Sequence, residues 1–217
     1  MRSIQKIGAI GAFLQVIYFL VMVLFVTTIL PSHGFPATSD AYHNPAEALA
    51  FASQSPLRAL DELRDVIWGI GLILTALAFF ERWHSRSVYI THLMFTFAII
   101  GTTLLFASGI AGFTSISELA KLYAQNPTDA GPAYLAVTLM AGGMRSTAII
   151  VFGGWVLLTS SLALKRGELP ELLNYIGLVV GIASIGALVI PGATYVIIIL
   201  GLVWLMWLGV ALWRLPE

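Results

Sequence analysis

Residues Ala133 to Leu164 read AYLAVTLMAGGMRSTAIIVFGGWVLLTSSLAL. The run is too long and too apolar for an ordinary soluble helix, and Arg145, beside Gly142-Gly143, is its one charge. A charge inside such a run costs free energy and marks a functional position by default. As one straight helix the run would reach roughly 48 Å at 1.5 Å per residue, against a bilayer core of about 30 Å. Gly142-Gly143 is therefore read as the place where a span begins or bends. Residues 133–141 are read as projecting outward or lying over the mouth of the bundle.

The rest of the chain belongs to the same class. Of 217 residues 59% are hydrophobic and only 10% charged, whereas a soluble domain carries about 25% charge. That is too little to cover a surface in contact with water. The apolar residues form long blocks and do not alternate at period two, which selects helices in lipid over a transmembrane barrel. Net charge is zero, so there is no basic footprint for nucleic acid. Cysteine is absent, which removes disulfides, thiolate chemistry and Cys-ligated metals.

The blocks predict an all-α polytopic bundle of six transmembrane helices, about 7–30, 62–81, 88–110, 142–164, 172–190 and 193–213, in a single domain over 1–217. The first block follows a basic lead, Arg2 and Lys6, and is longer than a signal-peptide core, so it is read as an uncleaved span. Pro31 to Pro56 is a polar connection rich in turn residues, with a short surface helix at Ala46 to Ala52 and Ser55 as a cap for the next helix. Ala111 to Gly131 is a second polar connection, with SISELAKLYAQ reading as an amphipathic helix. Pro191-Gly192 makes a tight turn, and Trp207 and Trp213 stand where interfacial aromatics are favoured. Arg2, Lys6, Arg82, Arg86, Lys165, Arg166 and Arg214 fall on one side, against Arg58, Arg64 and Lys121 on the other. The positive-inside rule then puts both termini on the cytoplasmic side of the inner membrane. A faint echo, Thr75 to Arg82 and Thr159 to Arg166, suggests that spans two and four are equivalent members of two hairpins.

The order of these elements, and the turn L-K-R-G-E-L-P-E-L-L-N-Y-I-G from Leu164 to Gly177 above all, resembles a bacterial membrane family known only as domain of unknown function 4386. The resemblance covers most of the chain. It implies the six-helix fold and carries no agreed activity, so no catalytic residue transfers from it.

Depth counting relates Arg145 to the acidic start of span two. Lys165 back to Arg145 is roughly 30 Å of helix and Arg82 back to Asp65 roughly 25 Å, which places Arg145 and Asp65 at comparable depth near the outer boundary. Asp61 lies one turn from Asp65 on the same face. Three readings stand: Arg145 pairs with Asp65 or Asp61, it snorkels to headgroups, or it binds a ligand. His33, Asp40 and His43 share a loop without metal-site spacing. His92 is the best candidate for a buried histidine, and a haem would need a partner that only His84 offers on that side. Gly177, Gly181 and Ser184 read as a close-packing face. No cofactor, metal site or catalytic set is read from the sequence.

The leading functional reading is a non-enzymatic accessory or interaction subunit, whose partners are the bilayer and another membrane protein or a second copy. The alternatives are a small-molecule, lipid or ion binding or transport protein with Arg145, Asp65 and Asp61 at a polar mouth, and an intramembrane enzyme. A cavity lined by Arg145 would favour the binding reading, and a closed dry bundle the accessory one.

Overall fold

Backbone in apolar surroundings must satisfy its own hydrogen bonds, and a helix does so within one segment. The computed structural model describes residues 2–35, 44–190 and 192–214, and among these every regular element is helical. α1 is Arg2–Leu24, continued by one turn of π-helix, Phe25–Ile29, and a short turn Leu30–Ser32 that ends at Gly34 with φ +85. α2 is Pro45–Gln54, with proline at the first position where its missing N–H costs nothing. α3 is Leu57–Glu62, entered from Ser55, whose Oγ accepts from the Leu57 N–H at 3.3 Å. α4 is Arg64–Trp83, α5 Val88–Gln125, α6 Pro127–Arg166, α7 Glu171–Gly186 and α8 Ala193–Arg214.

Among the described residues, five segments are long and apolar enough to cross a membrane: Ile4–Ser32, Leu57–Trp83, Val88–Gln125, Pro127–Arg166 and Ala193–Arg214. α7 is equally apolar but has 16 residues, about 24 Å. Helix was expected to continue to Ile190. It stops at Gly186, where the Gly186 carbonyl accepts from the N–H groups of Val189 and Ile190 and the chain turns towards Gly192 at φ +92.

One expected connection is shorter than read, and one expected span start is absent. Of the connection expected over Ala111 to Gly131, residues 111–125 are the continuation of α5, which takes in the helix expected over SISELAKLYAQ and runs unbroken to Gln125. Its hydroxyls do not break the helix because they bond back to their own turns, Thr114 to the Ile110 carbonyl at 2.8 Å and Ser117 to the Phe113 carbonyl at 2.8 Å. The break falls at Asn126, and Pro127 opens the next helix. α6 likewise passes through Gly142-Gly143 as continuous helix. No heavy atom lies within 4 Å of where a Cβ would stand at either glycine, so neither is needed for close packing.

The chain divides into two compact units. One comprises Met1–Phe19, Ile67–Leu104 and Ser146–Glu217. Its core is aromatic: Trp68 stacks on Tyr18 at 4.8 Å and meets Phe152 edge-on at 5.5 Å, and Trp155 meets Trp204 edge-on at 6.0 Å. α1 and α4 touch backbone to backbone at Gly11 and Gly71, and a Cβ on Gly71 would come within 2.7 Å of both the Gly11 carbonyl and the Gln15 side chain. That contact lets Gln15 Nε2 donate to Thr75 Oγ1 at 3.1 Å, a side-chain hydrogen bond between the two helices. α7 packs on α6 in the same manner, with Gly181 against Leu157 and the Gly153 carbonyl, and Gly177 against Ser160.

The other unit comprises Leu20–Val66 and Leu105–Arg145. Its core gathers Leu30, Phe35, Leu49, Ala59, Ile116, Leu119 and Tyr134 from α2, α3, the Leu30–Ser32 turn and the adjoining parts of α5 and α6.

Gly71→Ala will destabilise the protein by about 1–3 kcal/mol, the cost of overpacking against unyielding backbone. Gly142→Ala, with open space around it, will be neutral or stabilising by up to about 1 kcal/mol. Thermal unfolding of both variants in detergent measures the contrast.

Candidate functional site

The second unit contains a network of charges. Pro56 starts α3, and its single turn and a half places Arg58 three residues before Asp61 and four before Glu62. Arg58 Nη1 meets Glu62 Oε1 at 2.5 Å and Asp61 Oδ2 at 3.7 Å. The chain pauses at Leu63, and Arg64 at the start of α4 reaches back to Asp61. Glu62 and Asp65 are three apart and face α6 together. There Arg145 Nε donates to Asp65 Oδ2 at 2.7 Å and Arg145 Nη2 to Glu62 Oε2 at 2.6 Å. Ser108 of α5 donates to the same Asp65 oxygen at 3.1 Å or to the Ala141 carbonyl at 3.1 Å.

Burial makes this arrangement demanding. Asp65 is 0% exposed, Glu62 4%, Asp61 6% and Arg58 9%. Isolated charges there would carry several kcal/mol of desolvation each. Three guanidinium groups face three carboxylates, so the ionised network is neutral. α5 approaches closely enough to seal it because Gly109 and Gly112 carry no side chain: a Cβ on Gly109 would stand 2.9 Å from the Glu62 carbonyl oxygen, and one on Gly112 2.9 Å from Glu62 Cγ.

A cavity of about 60 Å³ opens beside the network, lined by Arg58, Asp61, Glu62, Arg64 and Arg145, by Tyr134 and Thr138 of α6, and by Val26, Leu30 and Phe35. A cavity needs at least about 10–15 Å³ to hold a single water, so this one admits water or a small polar group. Val26 belongs to the π-helix, a local rewinding of the chain that often accompanies functional sites. The Arg58 guanidinium lies 5.9 Å from the centre of the Phe35 ring. Two buried polar atoms of this network, Arg64 Nε and Asp65 Oδ1, have no partner among the described residues.

The sequence-derived residues divide accordingly. Asp65 and Arg145 meet, and Asp61 is held by Arg64 and Arg58. Glu62, three residues before Asp65, takes the place beside Arg145 that the sequence assigns to Asp61. The halt at Leu63 decides which of the two acids faces Arg145. Tyr134, Thr138, Ser108 and the glycines of α5 carry no local signal and join the site only through tertiary packing. His92 was expected to be buried and is exposed. Its Nδ1 bonds the Val88 carbonyl of its own helix at 2.7 Å, and its ring lies edge-on to Phe80 at 5.2 Å. Of His33, Asp40 and His43, the last two lie outside the described residues. Among the described residues no group of three or more His, Asp or Glu side chains is placed to hold a metal ion.

A second cluster sits in the first unit, on the turn that begins at Leu164. Gly167 adopts φ +62, which turns Glu168 back onto α4. Glu168 Oε2 accepts from Arg82 Nε at 2.5 Å and from Trp83 Nε1 at 2.9 Å, and Arg166 stands 3.4 Å from Oε1. Arg166 also bonds Ser87 Oγ at 2.8 Å, and Asn174 Nδ2 bonds the Leu169 carbonyl at 3.2 Å. Partial burial by itself would push the Glu168 carboxyl up. Hydrogen bonds from Trp83 and Arg82, with the charge of Arg82, outweigh it and hold the group below the ordinary glutamate value.

Fold and site together define a class: an all-α protein with apolar helices of membrane-spanning length and a neutralised charge network beside a small cavity. Comparison with protein families, with curated proteins and with solved structures finds no match.

Arg145→Gln leaves both Asp65 and Glu62 short of a cation and will destabilise by about 3–5 kcal/mol, the cost of breaking a buried pair. Asp65→Asn will cost less, because Arg145 keeps Glu62. Denaturation of the two variants in detergent ranks them. For Glu168 the folded value is lowered, so its stabilisation is complete above the unfolded value, about 4.3, and is lost as pH falls through the folded value. Thermal scans across that window will show a decline in the parent protein that Glu168→Gln lacks.

Proposed function

We propose that this chain is an inner-membrane protein of six spans, as its apolar blocks and the resemblance to domain of unknown function 4386 suggest, with both termini cytoplasmic by the positive-inside rule, and that it binds a small polar molecule in the Arg58–Arg145 cavity without catalysing a reaction. The observation that carries the binding reading is the cavity itself. It is lined by three guanidinium groups, two carboxylates and two hydroxyl-bearing side chains, with Val26 of the π-helix also in its wall. Arg64 Nε is a buried donor without an acceptor, and an unsatisfied buried donor costs about 1–3 kcal/mol. A ligand with carboxylate or phosphoryl oxygens would pair with the donor capacity left on the guanidinium groups that line the cavity. Placement in a membrane is supported by the five apolar segments and by large apolar side chains left bare on the helices, such as Ile182 and Ile199. The sixth span, α7, would cross with its flanking turns drawn into the boundary.

The accessory-subunit reading is favoured by a different observation, that every acid of the network already has a basic partner, so the cluster works as a clamp without any ligand.

The two are separated by thermal unfolding of the purified protein with acetate, glycine or phosphate. A site ligand at a hundred times its Kd adds about 2.7 kcal/mol, and Thr138→Trp, which fills the cavity, will abolish the gain. No shift with any of these, and an unchanged melting profile for Thr138→Trp, would sink the binding reading. Extraction by alkaline carbonate would separately sink the membrane placement.

A further inference from the structure

The basic residues of the first unit do not all share one fate. Arg82 and Arg166 hold Glu168. Lys6 and Arg214 have no carboxylate partner among the described residues, and both flank an apolar recess. Phe13 of α1 lies against α8 at Gly209, where a Cβ would come within 2.9 Å of its ring. From that contact an open groove of about 490 Å³ runs along Phe13, Val210 and Trp213 to Arg214. Lys6 stands two turns before Phe13, and its ammonium lies 5.5 Å from the centre of the Trp213 ring. On its other side Arg214 borders a second recess of about 260 Å³, which includes Trp207, Leu169 and Glu168, the last already held by Arg82 and Arg166. Two cations, a half-exposed tryptophan and an apolar trough in that order match one kind of molecule, with a negative head, an interfacial zone and a hydrocarbon tail.

We propose that this groove is a binding site for an anionic phospholipid, whose phosphate lies between Lys6 and Arg214 and whose acyl chain lies along Phe13, Val210 and Trp213. The site rests on the membrane reading and is independent of the cavity at Arg145. Charge complementarity selects the occupant: a zwitterionic lipid would bring its own cation to two cations, and an apolar partner helix would leave both without a counter-charge. Basic pockets beside spanning helices on the cytoplasmic side select anionic headgroups for this reason. Trp213 contributes its ring to the chain and its edge to the headgroup zone.

The test is native mass spectrometry of the purified full chain with phosphatidylglycerol and phosphatidylcholine of identical acyl chains. The expected result is retention of phosphatidylglycerol over phosphatidylcholine, a preference reduced about 30-fold in Lys6→Gln/Arg214→Gln, as two basic residues near an anionic surface would contribute. Lys6→Arg/Arg214→Lys, which keeps the charge, will keep the preference. Phosphatidylglycerol brominated on its chain will quench tryptophan fluorescence in the parent protein and less in Trp213→Phe. Equal retention of the two lipids, or a preference that survives the neutral double substitution, overturns the proposal. Release of the protein by alkaline carbonate overturns the membrane reading beneath it and is scored before any lipid is added.

Discussion

A charge buried among apolar helices has to be neutralised where it stands, and the contact of Arg145 with Glu62 and Asp65 is where this protein meets that condition. Much of the second unit follows from it. α3 is a single turn and a half because its acids must be presented as a group. The chain halts at Leu63 so that Asp61 turns to Arg64 while Glu62 and Asp65 turn to α6. α5 carries glycine at 109 and 112 because any side chain there would strike Glu62. The cavity beside the network has the same origin, since side chains committed to ion pairs cannot also fill the space between α6 and the π-helix.

The Glu168 cluster solves a milder problem. Its groups are partly exposed, so desolvation is smaller and water shares in their solvation. The geometry is set by a turn, Gly167 at positive φ, more than by helix packing. The stretch Leu164 to Gly177 thereby gains a physical reading: Gly167 reverses the chain, Glu168 holds Arg82 and Trp83, and Asn174 secures the Leu169 carbonyl. These are fixing contacts, and they tie α6 and α7 to α4 within the first unit.

The two proposed sites use cations in opposite ways. In the cavity the guanidinium groups are already engaged and would offer a ligand only what remains of their hydrogen-bonding capacity. At Lys6 and Arg214 the charges lack a carboxylate partner among the described residues and would act at longer range. The first arrangement favours shape and donor geometry, the second favours net charge, and each implies a ligand of a different kind.

The apolar blocks, the scarcity of charge and the absence of cysteine were enough to determine a helical protein with segments of membrane-spanning length, because helix and hydrophobic burial depend on local composition. Depth counting along two helices was enough to relate Arg145 to the acids at the start of α4, because helical rise is constant. Sequence did not determine where helices end when no proline enforces it. α5 and α6 run on through Ala111–Gln125 and Gly142-Gly143, since glycine and hydroxyl residues permit a break without requiring one. Nor did it choose Glu62 over Asp61, or bring Ser108, Tyr134 and Thr138 to the same place. Those were decided by tertiary structure, because both acids satisfy the helical spacing and only the turn at Leu63, with α5 pressed against it, fixes which carboxylate faces the arginine.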